Sequence, residues 1–210
     1  MYSRVIPCSC AKKRNQQDRQ AALLRSCEFP SFADTMTFDK FRVYPEVKSA
    51  FEMSRKMAVE PGRLCWLALL GNNGTGKTHL AIAVCKAWVA AGIASKYAFV
   101  SLLLDELRQG FGKDKEQSFE ARWKHFCTVP LLLLDDYGVE SATPWVQEKL
   151  DTMVDYRLMN NLSLIVTSNK TLDEMPARIR SRIMRHPNSR IVAIMAEDYV
   201  PKLKSQQLPR

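Results

Sequence analysis

From Leu64 onward, short continuous apolar runs alternate with longer segments whose apolar residues recur every three or four positions. LCWLALLG (64–71), SKYAFVSL (95–102), PLLLLDD (130–136), LSLIVTS (162–168) and SRIVAIM (189–195) read as strands, the continuous runs as strands buried on both faces. Between the first two, a helix from Lys77 to about Ala91 carries Leu80, Val84, Ala87 and Ala91 on one side and stops at Gly92. Helical segments at about 103–109 and 116–127 precede the third strand. Thr143 can cap the next helix, with Pro144 in its first turn and Val146, Leu150, Met153, Val154 and Leu158 as its apolar stripe. A basic helix near 176–185 leads into the fifth strand. Alternation of this kind predicts a parallel sheet covered by helices on both faces.

Upstream the pattern fades. Residues 1–34 are polar and basic apart from a short helical stretch near 16–27, and Pro30, Ser31 and Asp34 break the chain. A helix from about Glu46 to Val59 follows, ended by Pro61-Gly62. The expected organisation is a basic N-terminal arm (1–34), one α/β domain (35–200) and a C-terminal tail (201–210), with neither repeats nor low-complexity tracts.

Composition narrows the picture. With 46% apolar and 25% charged residues, wholesale disorder is excluded. No apolar stretch approaches the roughly 20 residues that cross a bilayer, and none in the first 26 residues suits a signal peptide, so a cytoplasmic protein without a membrane partner is expected. The net charge of +9 is concentrated at the ends. Arg4, Lys12, Lys13, Arg14, Arg19 and Arg25 face only Asp18 in residues 1–26; Arg178, Arg180, Arg182, Arg185, Arg190, Lys202, Lys204 and Arg210 dominate residues 175–210. Such ends suit a polyanion, most often nucleic acid, or form a solvated basic surface.

The first strand ends in candidate chemistry. Gly71-Asn72-Asn73-Gly74-Thr75-Gly76-Lys77-Thr78 fits G-x-x-x-x-G-K-[ST] at every fixed position, between a strand and a helix as the motif requires. Its glycines allow a tight turn whose N–H groups face phosphates, and the helix N-terminus adds a favourable dipole. Lys77 is expected to reach the β- and γ-phosphates of ATP and the Thr78 hydroxyl to ligate Mg²⁺; His79, next in line, is counted with the nucleotide contacts. An ATPase also needs carboxylates at the carboxyl end of a strand adjacent to that loop. LLLLDD offers Asp135 for Mg²⁺ and Asp136 to polarise the attacking water, although an acid there also suits a cap or turn. Asn169, at the end of LIVTSN, is a candidate to hold that water from the opposite side. In ARIRSRIMR (177–185), Arg178 and Arg182 are four apart on one helix face; they suit a cation that neutralises developing phosphoryl charge, or a solvated or DNA-facing helix.

TFDKF, GNNGTGKTHLAIAV, LLLLDDYGVESATPWVQEKLDTMVDYRL, IVTSN and RIRSRI, in this order over about Thr35 to Ile194, resemble the DnaC/DnaI/IstB family of AAA+ ATPases. The Trp-containing helix after DDYG and the YR-L segment look more like its helicase-loader branch. The resemblance implies a P-loop NTPase of the AAA+ (ASCE) type: a three-layer sandwich with a five-stranded parallel sheet and no C-terminal lid domain. It implies ATP with Mg²⁺, a replicative helicase as partner, and self-association through Arg182 reaching a neighbouring ATP site, with Arg178 as a second phosphate sensor. It also implies a grip on single-stranded DNA through Arg108, Phe111 and Trp145, a cation beside stackable rings. Two alternatives stay open: an IstB-like transposition helper on duplex DNA, and a nucleotide-dependent adaptor with little turnover, since Asp136 stands where many AAA+ proteins have the longer Glu. Cys8-Ser9-Cys10 resembles the trailing half of a zinc knuckle, with Cys27 further on. A closed zinc site needs four ligands and no second pair precedes Cys8, so this chain alone does not complete one.

Overall fold

The structure, a computed structural model, describes residues 9–109, 116–138 and 143–197. Among these residues, seven α-helices and five strands follow one another as α1 (Ser9–Ser26), α2 (Lys48–Val59), β1 (Trp66–Gly71), α3 (Lys77–Ala90), β2 (Ser95–Phe99), α4 (Val100–Gln109), α5 (Glu116–Thr128), β3 (Leu131–Asp135), α6 (Pro144–Met159), β4 (Ser163–Ser168), α7 (Ala177–Arg185) and β5 (Ser189–Ile194). The strands form one sheet in the order β2-β3-β4-β1-β5, and every pairing is parallel.

Period-2 alternation along the strands builds the two cores. Leu67 and Leu69 of β1, Leu131 and Leu133 of β3 and Ile165 of β4 meet Leu80, Val84 and Trp88 of α3 and Met57 of α2. Ala68, Leu132, Leu134, Leu164 and Val166 face the other way, onto Phe126 of α5, Leu150, Met153 and Val154 of α6, and Ile179 and Ile183 of α7. The three-layer sandwich predicted from the pattern is therefore present. The second strand is shorter than its apolar run suggested: α4 begins at Val100, because Val100, Leu103 and Leu104 at helical spacing are buried while Leu102 is exposed.

The acid-bearing strand β3 is not the neighbour of β1; β4 lies between them. Its carboxylates reach the glycine loop across the end of β4, which makes the polar residues at that end part of the site.

Two buried cations tie the frame together. Arg157 of α6 is fully buried and donates to the carbonyls of Phe126, Cys127, Pro130 and Ser163, which joins the end of α5 to the starts of β3 and β4. Burial in this shell of carbonyls pushes its guanidinium down to about 9. Lys96 of β2 forms an ion pair with Glu28 at 2.7 Å and donates to the Ser26 carbonyl. With the Tyr97 N–H donating to the Cys27 carbonyl and Gln20 Nε2 to that of Ala90, the later part of the basic arm is docked on β2 and α3. Cys27 is buried there, its thiol hydrogen-bonded to the Leu23 carbonyl and pushed up to about 11 by burial. Cys8 lies outside the described residues, and among those described no cluster of metal-ligating side chains occurs.

Candidate nucleotide site

The loop between β1 and α3 takes the shape its glycines allow. Gly76 lies in the left-handed region (φ +88°), and a Cβ there would stand 2.6 Å from the Phe41 ring; a Cβ on Gly71 would stand 2.4 Å from the Ile194 carbonyl oxygen. Only glycine fits either place. The Thr75 hydroxyl, buried, pins the turn by donating to the Asn72 carbonyl at 2.9 Å. Lys77 curls back along the loop and donates to the Gly71 and Asn72 carbonyls, both at 2.7 Å. Burial lowers the pKa of its ammonium, while Asp136 and Asp135 act in the opposite sense. An ammonium has three N–H donors, so one remains for an anion beyond the two spent on the loop.

The carboxylate side is assembled from three strands. Asp135, at the end of β3 and 3% exposed, accepts from Thr78 at 2.8 Å and Thr167 at 2.6 Å through Oδ1, and from Tyr97 at 3.1 Å through Oδ2. Burial beside Asp135 raises the Tyr97 phenol, which stays protonated and able to donate. Asp136 adopts a left-handed backbone (φ +61°) that its short polar side chain tolerates. Its N–H donates to the Thr167 hydroxyl at 2.9 Å, and its carboxylate accepts from Asn169 Nδ2 at 2.8 Å. Its pKa is raised, first by burial and then by Asp135, with Lys77 opposing. The tips of β3 and β4 are clipped by Tyr137 N–H to the Thr167 carbonyl (2.8 Å) and by the Ser168 hydroxyl to the Tyr137 carbonyl (2.6 Å).

Lys77, Thr78, Asp135, Asp136 and Asn169 thus form one cluster, as their order in the sequence suggested. His79 turns the other way: its Nε2 is 2.8 Å from the Thr37 carbonyl and its ring meets Phe41 edge-on at 5.1 Å. There it borders a cleft of about 370 Å³ lined by Lys40, Phe41, Arg42, Tyr44, Gly74, Thr75 and Gly76. Tyr97 and Tyr44 lie outside the motif segments; Phe41 closes TFDKF and Thr167 stands within IVTSN, but spacing alone assigned neither of them a role.

Arg178 and Arg182 do not join the cluster; both bond Asp155 of α6. Trp145 is half-buried against the core, with the Lys149 ammonium 5.5 Å from its ring centre. Arg108 lies in α4, and Phe111 falls outside the described residues.

A glycine-turned loop opening a helix, faced by a pair of aspartates at the end of a strand one place removed, defines a P-loop nucleotide-binding domain of the AAA+ type. The chain belongs to the family of IstB-like ATP binding proteins, which matches residues 12–187. It is 27% identical over 173 residues to the replicative helicase loader DnaI of Bacillus subtilis, covering 80% of this chain and 55% of that protein; it therefore spans about half the length of this curated relative. Its fold is similar to the crystal structure of the DnaC helicase loader (TM-score 0.69, 23% identity, 79% of this chain and 99% of the other). It is also similar to the replication initiator DnaA bound to AMPPCP and single-stranded DNA (TM-score 0.65, 22% identity, 84% and 56%). Among the described residues no helix is long and apolar enough to cross a membrane.

Proposed function

We propose that the chain binds ATP with Mg²⁺, hydrolyses it, and uses the cycle to place a replicative helicase on single-stranded DNA. The observation that carries the nucleotide chemistry is the 2.8 Å contact between the Thr78 hydroxyl and Asp135, at the lip of the glycine loop. Hard oxygen donors so close together suit Mg²⁺, which Thr78 and Asp135 would hold and which would neutralise charge on the phosphates. Lys77 would exchange loop carbonyls for phosphate oxygens. Asp136, with Asn169 fixing its carboxylate, would orient the attacking water. The base would lie in the cleft beside Phe41 and Tyr44, where a purine finds an aromatic wall.

Helicase loading is supported by the family and by the likeness to DnaI and DnaC. A DNA grip is supported by the basic α7 and by Arg108, Phe111 and Trp145 as candidate contacts. The test combines turnover with assembly. ATP hydrolysis is measured with and without single-stranded DNA, and association with the host's replicative helicase by sedimentation with a non-hydrolysable analogue. Stimulated turnover and an ATP-dependent complex are expected, both abolished in Lys77→Ala. Arg182→Ala should keep ATP binding and lose hydrolysis. Turnover without any helicase complex would overturn the loading assignment while leaving the ATPase in place.

The IstB-like family description favours a second reading, a transposition helper that coats duplex DNA. ATP-dependent filaments on duplex DNA, together with binding to a transposase, would favour it.

A further inference from the structure

The two arginines on one face of α7 are joined by an acid of α6 to which the sequence pattern gave no role. Asp155, in the C-terminal half of α6, accepts from Arg178 Nη2 through Oδ2 at 2.6 Å and from Arg182 Nε through Oδ1 at 2.7 Å. Its side chain is 20% exposed, against 34% for Arg182 and 54% for Arg178, so a shielded carboxylate holds two guanidinium groups that reach outward. Arg180, elsewhere on the helix, bonds the Asp173 carbonyl instead.

The atoms engaged decide what each arginine can still do. A guanidinium carries its five N–H donors in one plane. A bond at Nε fixes that plane from the side nearest the chain and leaves both terminal nitrogens, the fork that matches two oxygens of a phosphate, on the far side. Arg182 is held in this way. Arg178 spends a terminal nitrogen on the contact, so its own fork is already engaged. Like charges four apart on a helix also repel, and the shared carboxylate offsets that repulsion.

We propose that Asp155 is the positioning residue for Arg182. It turns the terminal nitrogens of Arg182 toward the γ-phosphate held by a second copy of this chain, and Arg178 braces the carboxylate from the other side. The proposal rests on the reading of Arg182 as a residue that completes a neighbour's site.

Mixed subunits test it. Arg182→Ala subunits offer intact ATP sites without the arginine; Lys77→Ala subunits offer the arginine with a dead site. Neither should turn over alone, and together they should hydrolyse ATP at least about ten-fold faster than either. The same mixture made with a Lys77→Ala/Asp155→Asn donor should turn over about ten-fold more slowly at equal assembly, measured by sedimentation, and an Asp155→Glu donor should fall between the two. The donor's own site is inactive throughout, so an effect on its nucleotide binding cannot produce the difference. Equal turnover with both donors overturns the proposal while leaving the role of Arg182 intact. Failure of the simple mixture overturns the role of Arg182 and this proposal with it. Should the Asp155→Asn donor not assemble, Asp155→Glu decides: slower turnover at equal assembly supports the proposal, and unaltered turnover overturns it.

Discussion

Replacing Thr167 with Val keeps the shape of a buried side chain and removes one hydroxyl that serves both aspartates. That hydroxyl donates to Asp135 at 2.6 Å and accepts from the Asp136 N–H at 2.9 Å. A hydrogen bond to a charged group contributes about 1.5–3 kcal/mol, and a backbone N–H left unmet costs about 1–3 kcal/mol. Asp136 is only half-buried and water can reach part of its surroundings, which puts the sum near the lower end, about 3 kcal/mol. For a protein of this size that lowers the melting temperature by about 6–12 °C. Turnover should suffer more than binding. The Asp136 N–H bond anchors a left-handed residue whose carboxylate must meet the water, whereas the phosphates are held mainly by the loop and Lys77. Scanning calorimetry, binding of a fluorescent ATP analogue and steady-state hydrolysis together measure the effect, with Thr167→Ser, which keeps the hydroxyl, as the rescue. Thr167→Val with unchanged melting and unchanged kcat would refute the reasoning.

Gly76→Ala should abolish tight nucleotide binding. The left-handed backbone alone costs about 1–2 kcal/mol, and the new Cβ would stand 2.6 Å from the Phe41 ring, which packs against Phe51 and His79 and would have to shift; undiminished affinity for ATP would count against the loop geometry. Arg157→Met leaves several buried carbonyls unmet and should destabilise the fold by about 3–5 kcal/mol, read by chemical denaturation, without a selective effect on KM for ATP. The arginines around Asp155 hold its carboxyl below the usual 3.8. A depressed carboxyl stabilises the fold above its unfolded pKa, and that contribution is lost as pH falls through the folded value. Wild-type protein should therefore lose more stability than Asp155→Asn on acidification below about pH 4, and parallel acid titrations would contradict the ion-pair geometry.

How much of this was legible in the sequence depends on how local each feature is. The glycine loop is eight consecutive residues whose backbone does the work, so the order of residue types alone locates it. The sheet was legible because LLLLDD and LSLIVTS leave no polar face to expose. Boundaries failed where one apolar run satisfies two periods: FVSLLL suits a strand to Leu102 or a helix from Val100, and the burial of Leu103 and Leu104 against α6 decided for the helix. Strand order was not legible, since nothing in β1 or β3 says that β4 passes between them. For the same reason Tyr97 and Thr167 went unseen as partners of Asp135, because their contribution comes from parallel register across three strands. Arg178 and Arg182 could be placed on one helix face by spacing, but Asp155 lies 23 residues before Arg178 on another helix, with no periodic relation to either.

Calorimetry with ATP, with and without Mg²⁺, on the wild-type chain and on Asp135→Asn tests the central claim most directly. The account predicts that the wild type binds Mg·ATP more tightly than ATP in chelator, and that Asp135→Asn keeps the metal-free affinity and gains nothing from Mg²⁺. A wild type that gives no heat of binding, or an Asp135→Asn variant with the full Mg²⁺ advantage, would contradict it.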